Sequence, residues 1–331
     1  MSGNIPFLLK PAAKDYLWGG SRLNDEFNKG IDVYPLAETW ECSTHPDGQS
    51  LVASGPDSGK TLGDVLRKSP DYLGTHPLQI MNGKLELPVL IKLIDAEQDM
   101  SVQVHPDDGY ALENENCLGK TEMWYVLAAR EGASIVYGFN QDMDRGRVQN
   151  VLAGGTIKNN LNRVPVQKND VFLVEAGTVH AIGAGIIMAE IQESSNLTYR
   201  LYDYGRVDRN GKQRELHVEK ALQVINMQSS AMPGQPMRVL HYQKGCAGEF
   251  LARCKYFQVE RLLLNTDIYG LSLDYKTGSN SFQVLLCTEG RGFLSGENFS
   301  LSIGKGDSVF VPAESIPLKL SGKAQLLKVS C

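Results

Sequence analysis

The chain has 331 residues, of which 42% are hydrophobic and 21% charged, with a net charge of −5 and a pI near 5.8. At this length roughly three quarters of the unfolded surface is buried on folding, so an ordinary core suffices without disulfide staples. The mild acidity argues against a general nucleic-acid binder or a coat on anionic membranes, and any anionic ligand has to be met by a local basic cluster.

The N-terminal MSGNIPFLLKPAAKDYLWGG lacks a basic region followed by a long apolar stretch and a small-residue cleavage site. No apolar run approaches the ~20 residues that span a bilayer. Cys42, Cys117, Cys246, Cys254, Cys287 and Cys331 are scattered without a C-x-x-C, as expected of reduced thiols in the cytoplasm.

Taken in chain order, the first helix is expected at Thr61–Ser69, where Thr61 caps a Leu62/Val65/Leu66 face. Short β-like runs follow: Leu87–Asp95, Met100–Val104, Met123–Ala128, Ser134–Gly138, Asp170–Glu175 and Ile186–Gln192. Asp142–Leu152 and Leu216–Met227 are the remaining helix candidates. Ser229, Ser230, Pro233, Gly234 and Pro236 then mark a linker. This divides the chain into residues 1–228 and 238–331. Many short strands and few helices predict a mainly β protein of sandwich or barrel type.

The second half repeats part of the first. Asp170–His180 reads DVFLVEAGTVH and Asp307–Pro317 reads DSVFVPAESIP. Each has an acidic turn residue, an apolar strand, a small-residue turn and a fixed position ten residues after the Asp. Strands at Trp124–Leu127 and Phe282–Leu286 precede them, which suits a jelly-roll sheet occurring twice. His180 in the first copy is Pro317 in the second, so only the first can hold a ligand there.

In Ser101-Val102-Gln103-Val104-His105 the odd-numbered residues share one strand face, so Gln103 and His105 project together. Lys120, Glu122 and Trp124 share a face of the next strand, and His180 follows the Ala176-Gly177-Thr178 turn. Two imidazoles, a carboxylate and an amide oxygen suit a divalent ion such as zinc. His45, in Thr44-His45-Pro46-Asp47, is a possible competitor as a ligand. Arg200 and Arg206 flank the aromatic run Tyr199, Tyr202, Tyr204. Beside Lys120 they read as a pocket for an anionic substrate, because a guanidinium fork recognises phosphate or carboxylate.

These motifs, from Trp18-Gly19-Gly20 through SVQVHPDD, GKTEMWY, AGTVHAI and TYRLYDYGR to Leu216-His217-Val218-Glu219-Lys220, resemble the type I mannose-6-phosphate isomerases of the cupin superfamily, in their shorter bacterial form. The resemblance implies two cupin-type jelly-roll barrels or sandwiches with a few helices added to the N-terminal part. It implies a catalytic metal-binding cupin at 1–228 and a cupin-like unit at 238–331 without metal ligands. One zinc ion per chain would be held by Gln103, His105, Glu122 and His180. Arg200 falls on the catalytic arginine. Ser101, Lys120 and Glu190 fall on substrate-pocket positions, Arg206 on a lysine of the longer relatives, and Trp18, Glu38 and Trp40 on the sugar-pocket edge. The implied reaction interconverts mannose 6-phosphate and fructose 6-phosphate through an enediol(ate), with Glu190 or a zinc-bound hydroxide as base. A non-catalytic or regulatory sugar-binding cupin, or an iron-dependent oxygenase using His105, His180 and Glu122, are the alternatives. The expected partner is a phosphorylated hexose, with no nucleic acid and no membrane; both a monomer and a homodimer are open.

Overall fold

The computed structural model describes residues 4–208 and 210–331. Three antiparallel sheets stack through it. The first runs Val171–Val174, Glu122–Ala129, Ile186–Glu193, Val89–Ala96, Glu38–Cys42, Ala12–Lys14. The second runs Tyr199–Tyr202, Val102–Val104, His180–Ile182, Ser134–Phe139, Leu161–Pro165. The third, of ten strands, is built on Gln283–Gly296 and Leu318–Ser330. It also takes in Phe7–Lys10 from the opposite end of the chain, paired with Ser308–Val311.

Alternation along the strands decides what each face does. In the six-stranded sheet Ile91, Leu93, Met123, Tyr125, Ala189 and Ile191 form one face. They pack against Val259, Val284, Leu286, Leu327 and Val329 of the ten-stranded sheet. The opposite face carries Ile94, Trp124, Val126 and Met188, which meet Ile135, Val164 and Ile182 of the five-stranded sheet. Lys92, Glu122 and Glu190 lie on this inner face too. A one-residue slip would turn these three charges into the apolar seam between the halves. Burial of a large aliphatic side chain contributes about 1.5–3 kcal/mol, so the register is strongly specified.

The five-stranded sheet follows the same rule. Val102, Val104, Val136, Ala181, Tyr199 and Leu201 point outward under the helices Arg145–Ala153 and Val218–Val224. Their neighbours Gln103, His180 and Arg200 therefore point inward, and pairing sets His180 and Arg200 on either side of Gln103 in one row.

The expected helices form at Leu62–Lys68, Arg145–Ala153 and Val218–Val224, the first capped by Thr61 Oγ1 accepting from the Asp64 amide. Three others, Arg22–Phe27, Thr75–Ile80 and Asp108–Asn114, were not expected. None exceeds two turns, too short for an amphipathic period to show. The internal repeat is visible as structure. Val171–Val174 pairs with the strand holding Trp124, and Ser308–Val311 with the strand holding Leu285. In both copies the turn Asp accepts a hydrogen bond from the amide three residues before it: Gln167 to Asp170 (2.8 Å) and Gly304 to Asp307 (2.7 Å).

Candidate active site

Two rows of inward-facing side chains meet between the sheets. One is Arg200–Gln103–His180 on the five-stranded sheet. The other follows the register Trp124–Glu190–Lys92 on the six-stranded sheet, with Glu122 beside Gln192. His105 joins them from the end of Val102–Val104. Its carbonyl accepts from the Gly177 amide (2.8 Å), which ties it to the turn before His180. Gly177 has φ +85°, a conformation that favours glycine, and this turn needs it.

Metal-competent atoms of His105, Glu122 and His180 all lie within 4.8 Å of one another, and all three residues are buried. The two imidazole Nε2 atoms are 3.1 Å apart, and Gln103 Nε2 is 3.4 Å from that of His180. His180 Nδ1 faces the Thr178 carbonyl at 2.8 Å. A carbonyl only accepts, so Nδ1 carries the proton and Nε2 presents a bare lone pair to the cluster. Glu122 Oε1 is buried without a hydrogen bond, although it lies 3.2 Å from His105 Nε2 and 3.0 Å from Lys120 Nζ. A bare nitrogen and an unbonded carboxylate oxygen aimed at one point form a donor set that fits a divalent cation. Gln103 can add its amide oxygen by a simple flip.

Electrostatics keep the donors in the required protonation states. Burial, and then the Lys120 ammonium, push the His105 imidazole down to about 3, so it is neutral. Burial also lowers His180. For Glu122 burial works upward, but the Lys120 ammonium beside it outweighs burial and holds the carboxyl well below its usual range. Trp124 Nε1 donates to Glu122 Oε2 (3.0 Å) and to Glu190 Oε2 (3.1 Å), linking the metal-competent cluster to the wall beside it. Lys92 holds the other oxygen of Glu190 at 2.8 Å and lies 4.0 Å from Glu38. Burial opposes the Lys92 charge, yet Glu190, Glu38 and Glu122 hold it above the ordinary lysine range.

Ser101, Gln103, Lys120, Glu190, Trp18 and Arg200 line one cavity of about 280 Å³. Arg200 donates Nε to Ser101 Oγ (3.3 Å) and Nη1 to the Glu215 carbonyl (2.9 Å). Most of the expected residues thus gather around the metal-competent cluster; Arg206 and Trp40 do not line the cavity. Arg206 lines a separate, outer cavity of about 300 Å³, where Nε and Nη2 bind Asp203 and Nη1 binds the Asp99 carbonyl. Glu38 lines the inner cavity, whereas Trp40 is fully buried behind it, donating Nε1 to Glu38 (2.8 Å). His45 sits outside the cluster, edge-on to Trp40.

Lys92 and Arg214 also line the cavity and were not expected. Lys92 had a legible signal, a lone cation in the middle of the apolar run LPVLIKLID. Arg214 lies in an irregular loop with no period to reveal it.

Residues 7–128 match the family model described as phosphomannose isomerase type I, catalytic domain. Residues 247–331 match that described as mannose-6-phosphate isomerase, cupin domain. The chain is 36% identical to the mannose-6-phosphate isomerase ManA of Bacillus subtilis over 97% of its own length and 98% of that protein. It is 39% identical to the mannose-6-phosphate isomerase of Streptococcus mutans, covering 67% of this chain and 68% of that one. The crystal structure of a Bacillus subtilis mannose 6-phosphate isomerase superposes with a TM-score of 0.88, 33% identity and 99% coverage of each chain. A zinc-bound mannose 6-phosphate isomerase shares the fold, at a TM-score of 0.76, 18% identity and 98% coverage of each chain.

Proposed function

The chain belongs to the type I mannose-6-phosphate isomerases, which makes it an aldose–ketose isomerase of mannose 6-phosphate and fructose 6-phosphate, and we propose that it works with one zinc ion held by His105, Glu122, His180 and Gln103. The observation that carries this is the convergence of two imidazole nitrogens and a carboxylate oxygen, all buried, on one point. We read the chain as a catalytic unit at 1–228, which carries every proposed ligand, and a cupin-like unit at 238–331 without any, although Phe7–Lys10 pairs into the sheet of the latter. No helix among the described residues is long and apolar enough to cross a membrane. With unpaired cysteines throughout, a cytoplasmic enzyme is the reading adopted.

Isomerisation moves a proton between C2 and C1 of the open-chain sugar while the carbonyl shifts the other way. Negative charge grows on the two oxygens. Held by His105, Glu122, His180 and Gln103, a zinc ion would supply a Lewis acid for that charge. Lys120, 3.0 Å from Glu122, adds a second positive group on the same side. Arg200, fixed by Ser101 and the Glu215 carbonyl, acts as the catalytic arginine, binding and orienting the anionic substrate in the inner cavity. Glu190 has one oxygen on Lys92 and the other on Trp124. It is therefore a fixed wall carboxylate that receives sugar hydroxyl donors. Trp18, 2% exposed, closes the cavity edge and keeps bulk water from it. Contacts to the phosphate, which does not react, orient the carbons that do.

A regulatory sugar-binding cupin would not need Lys120, Glu190 and Arg200 gathered around a metal-competent cluster, so that reading is not favoured. The test is a coupled assay for fructose 6-phosphate alongside metal analysis. His105→Ala and His180→Ala should lose zinc and activity together while the β core still folds. Full zinc stoichiometry in both variants would refute the ligand set.

A further inference from the structure

The inner cavity holds more positive charge than its own residues cancel. Lys92 is engaged by Glu190 and Glu38, and Lys120 by Glu122. Among the described residues, the Arg200 guanidinium contacts neutral groups only, a hydroxyl and a carbonyl. Arg214 lines both the inner and the outer cavity, at the point where they share Tyr16 and Trp18. Its Nε and Nη2 make a two-pronged contact with Asp203, at 2.8 and 2.6 Å. Its Nη1 has no hydrogen-bond partner among the described residues, and the side chain is 31% exposed. A guanidinium gripped along one edge by a carboxylate is pre-aimed, so little freedom is lost when the other edge binds an anion.

Arg206 also grips Asp203 through Nε and Nη2, but its remaining nitrogen is not free. All three of its nitrogens are engaged, by Asp203 and by the Asp99 carbonyl. The outer cavity it lines also holds Asp15, Asp203 and Asp208, a poor place for a phosphate. Arg200 and Arg214 are close enough for the positive charge of Arg214, after burial, to depress the Arg200 guanidinium. Two like charges held this near one another favour an anion between them.

We propose that Arg214, together with Arg200, forms the phosphate subsite, that Asp203 aims Arg214, and that Arg206 braces Asp203 without touching substrate. This rests on the isomerase reading and deepens it by naming the group that selects phosphorylated over free sugar.

The test is steady-state kinetics of the zinc enzyme with mannose 6-phosphate, with inorganic phosphate as a competing ligand. In Arg214→Ala the KM should rise roughly 10–100-fold, as expected for losing a charge-assisted contact, with kcat changed only a few-fold. Inhibition by inorganic phosphate should weaken by a similar factor. Asp203→Asn should raise KM in the same direction but less, and Arg206→Ala less again. Arg214→Lys keeps the charge without the fork, and its KM should lie between Ala and wild type, a control should the alanine variant fold poorly. An unchanged KM and phosphate inhibition in Arg214→Ala, or a larger KM effect from Arg206→Ala, would overturn the assignment while leaving the isomerase reading intact. A wild-type zinc enzyme that forms no fructose 6-phosphate would instead break that reading.

Discussion

The two halves of the molecule are built to one plan and filled with different chemistry. Aligning Asp170 with Asp307 sets Val174 against Val311, and their strand partners are Glu122 and Gln283. By the same register Trp124 corresponds to Leu285. His180, at the start of a strand, corresponds to Pro317, immediately before one. In each half the residues facing the neighbouring half are largely apolar, Met123 and Tyr125 in one and Val284 and Leu286 in the other, with the Tyr125 hydroxyl accepting from Arg261 and Gln325. Only the interiors differ. The N-terminal interior holds Glu38, Lys92, His105, Glu122, His180 and Glu190 among its apolar residues. The C-terminal interior is Leu285, Cys287, Leu294, Ile303, Val309, Val311, Leu318 and Leu326. A jelly-roll interior can be closed by hydrophobic packing alone. Opening it to chemistry requires each added charge to be matched by a partner, as Lys92 matches Glu190 and Lys120 matches Glu122.

The severest way to break the comparison is to give the N-terminal half the residue of its counterpart. Glu122→Gln removes the only carboxylate in the metal cluster. Zinc affinity should fall by more than the ~10–100-fold typical of losing an outer partner. Activity should fall ~10³-fold, the scale of losing several kcal/mol of charge stabilisation. Stoichiometric zinc in this variant, measured after dialysis, would show that the cluster is not the metal site. Trp124→Phe is gentler, since it keeps a buried aromatic side chain while removing the N–H shared between Glu122 and Glu190, along with part of the indole's bulk. Zinc binding should weaken ~10-fold as the Glu122 carboxylate loses its orienting bond. A wild-type affinity by chelator competition would show that the indole serves packing alone.

Much of this was legible because side-chain alternation is a strict rule. Gln103 and His105 on one strand, and Glu122 with Trp124 on another, share faces by counting alone. The turn Asp170 and Asp307 betrayed the repeat. Lys92 and Arg214 were missed for different reasons. The Lys92 signal was present, but a lysine inside an apolar strand becomes informative only when Glu190 is known to lie opposite. Arg214 and Arg206 are indistinguishable by residue type, and only their partners separate them. That the strand Phe7–Lys10 joins the far sheet is a long-range pairing, which local pattern cannot reveal.

The halves also touch at the site's edge, and this yields a smaller effect. Tyr256, in the hairpin turn before Gln258–Asn265, donates its hydroxyl to Asp108, and Lys255 Nζ lies 3.1 Å from the same carboxylate. The other oxygen of Asp108 accepts from the Gly119 amide (3.1 Å), and the Lys120 amide donates to the Pro106 carbonyl (3.0 Å). Gly119 is packed so closely that a Cβ would lie 2.4 Å from the Asp107 carbonyl carbon. The loop that joins His105 to Lys120 is thus closed on itself and clamped by the C-terminal half. Tyr256→Phe deletes one bond of the clamp and keeps the buried ring. It should cost about 1 kcal/mol in urea unfolding, with a few-fold loss of zinc affinity. Unchanged zinc affinity with the same stability loss would confine the clamp to folding.

The smallest effect is expected from the converse exchange, Gln283→Glu with Pro317→His. It restores two ligand types at matching positions, yet zinc should not exceed one ion per chain. His241 is the sole histidine between residues 238 and 331, and it lies on the edge strand Leu240–Gln243, far from the barrel interior in sheet order. The new carboxylate would face Leu285 where Glu122 has an indole donor, with no ammonium in the place of Lys120. Without those partners a half-buried charge is held less well than the glutamine it replaces, which already accepts from the Tyr275 hydroxyl. A second zinc ion in the double variant, counted by elemental analysis, would mean that ligand type at two positions suffices and that the surrounding charge network does not matter.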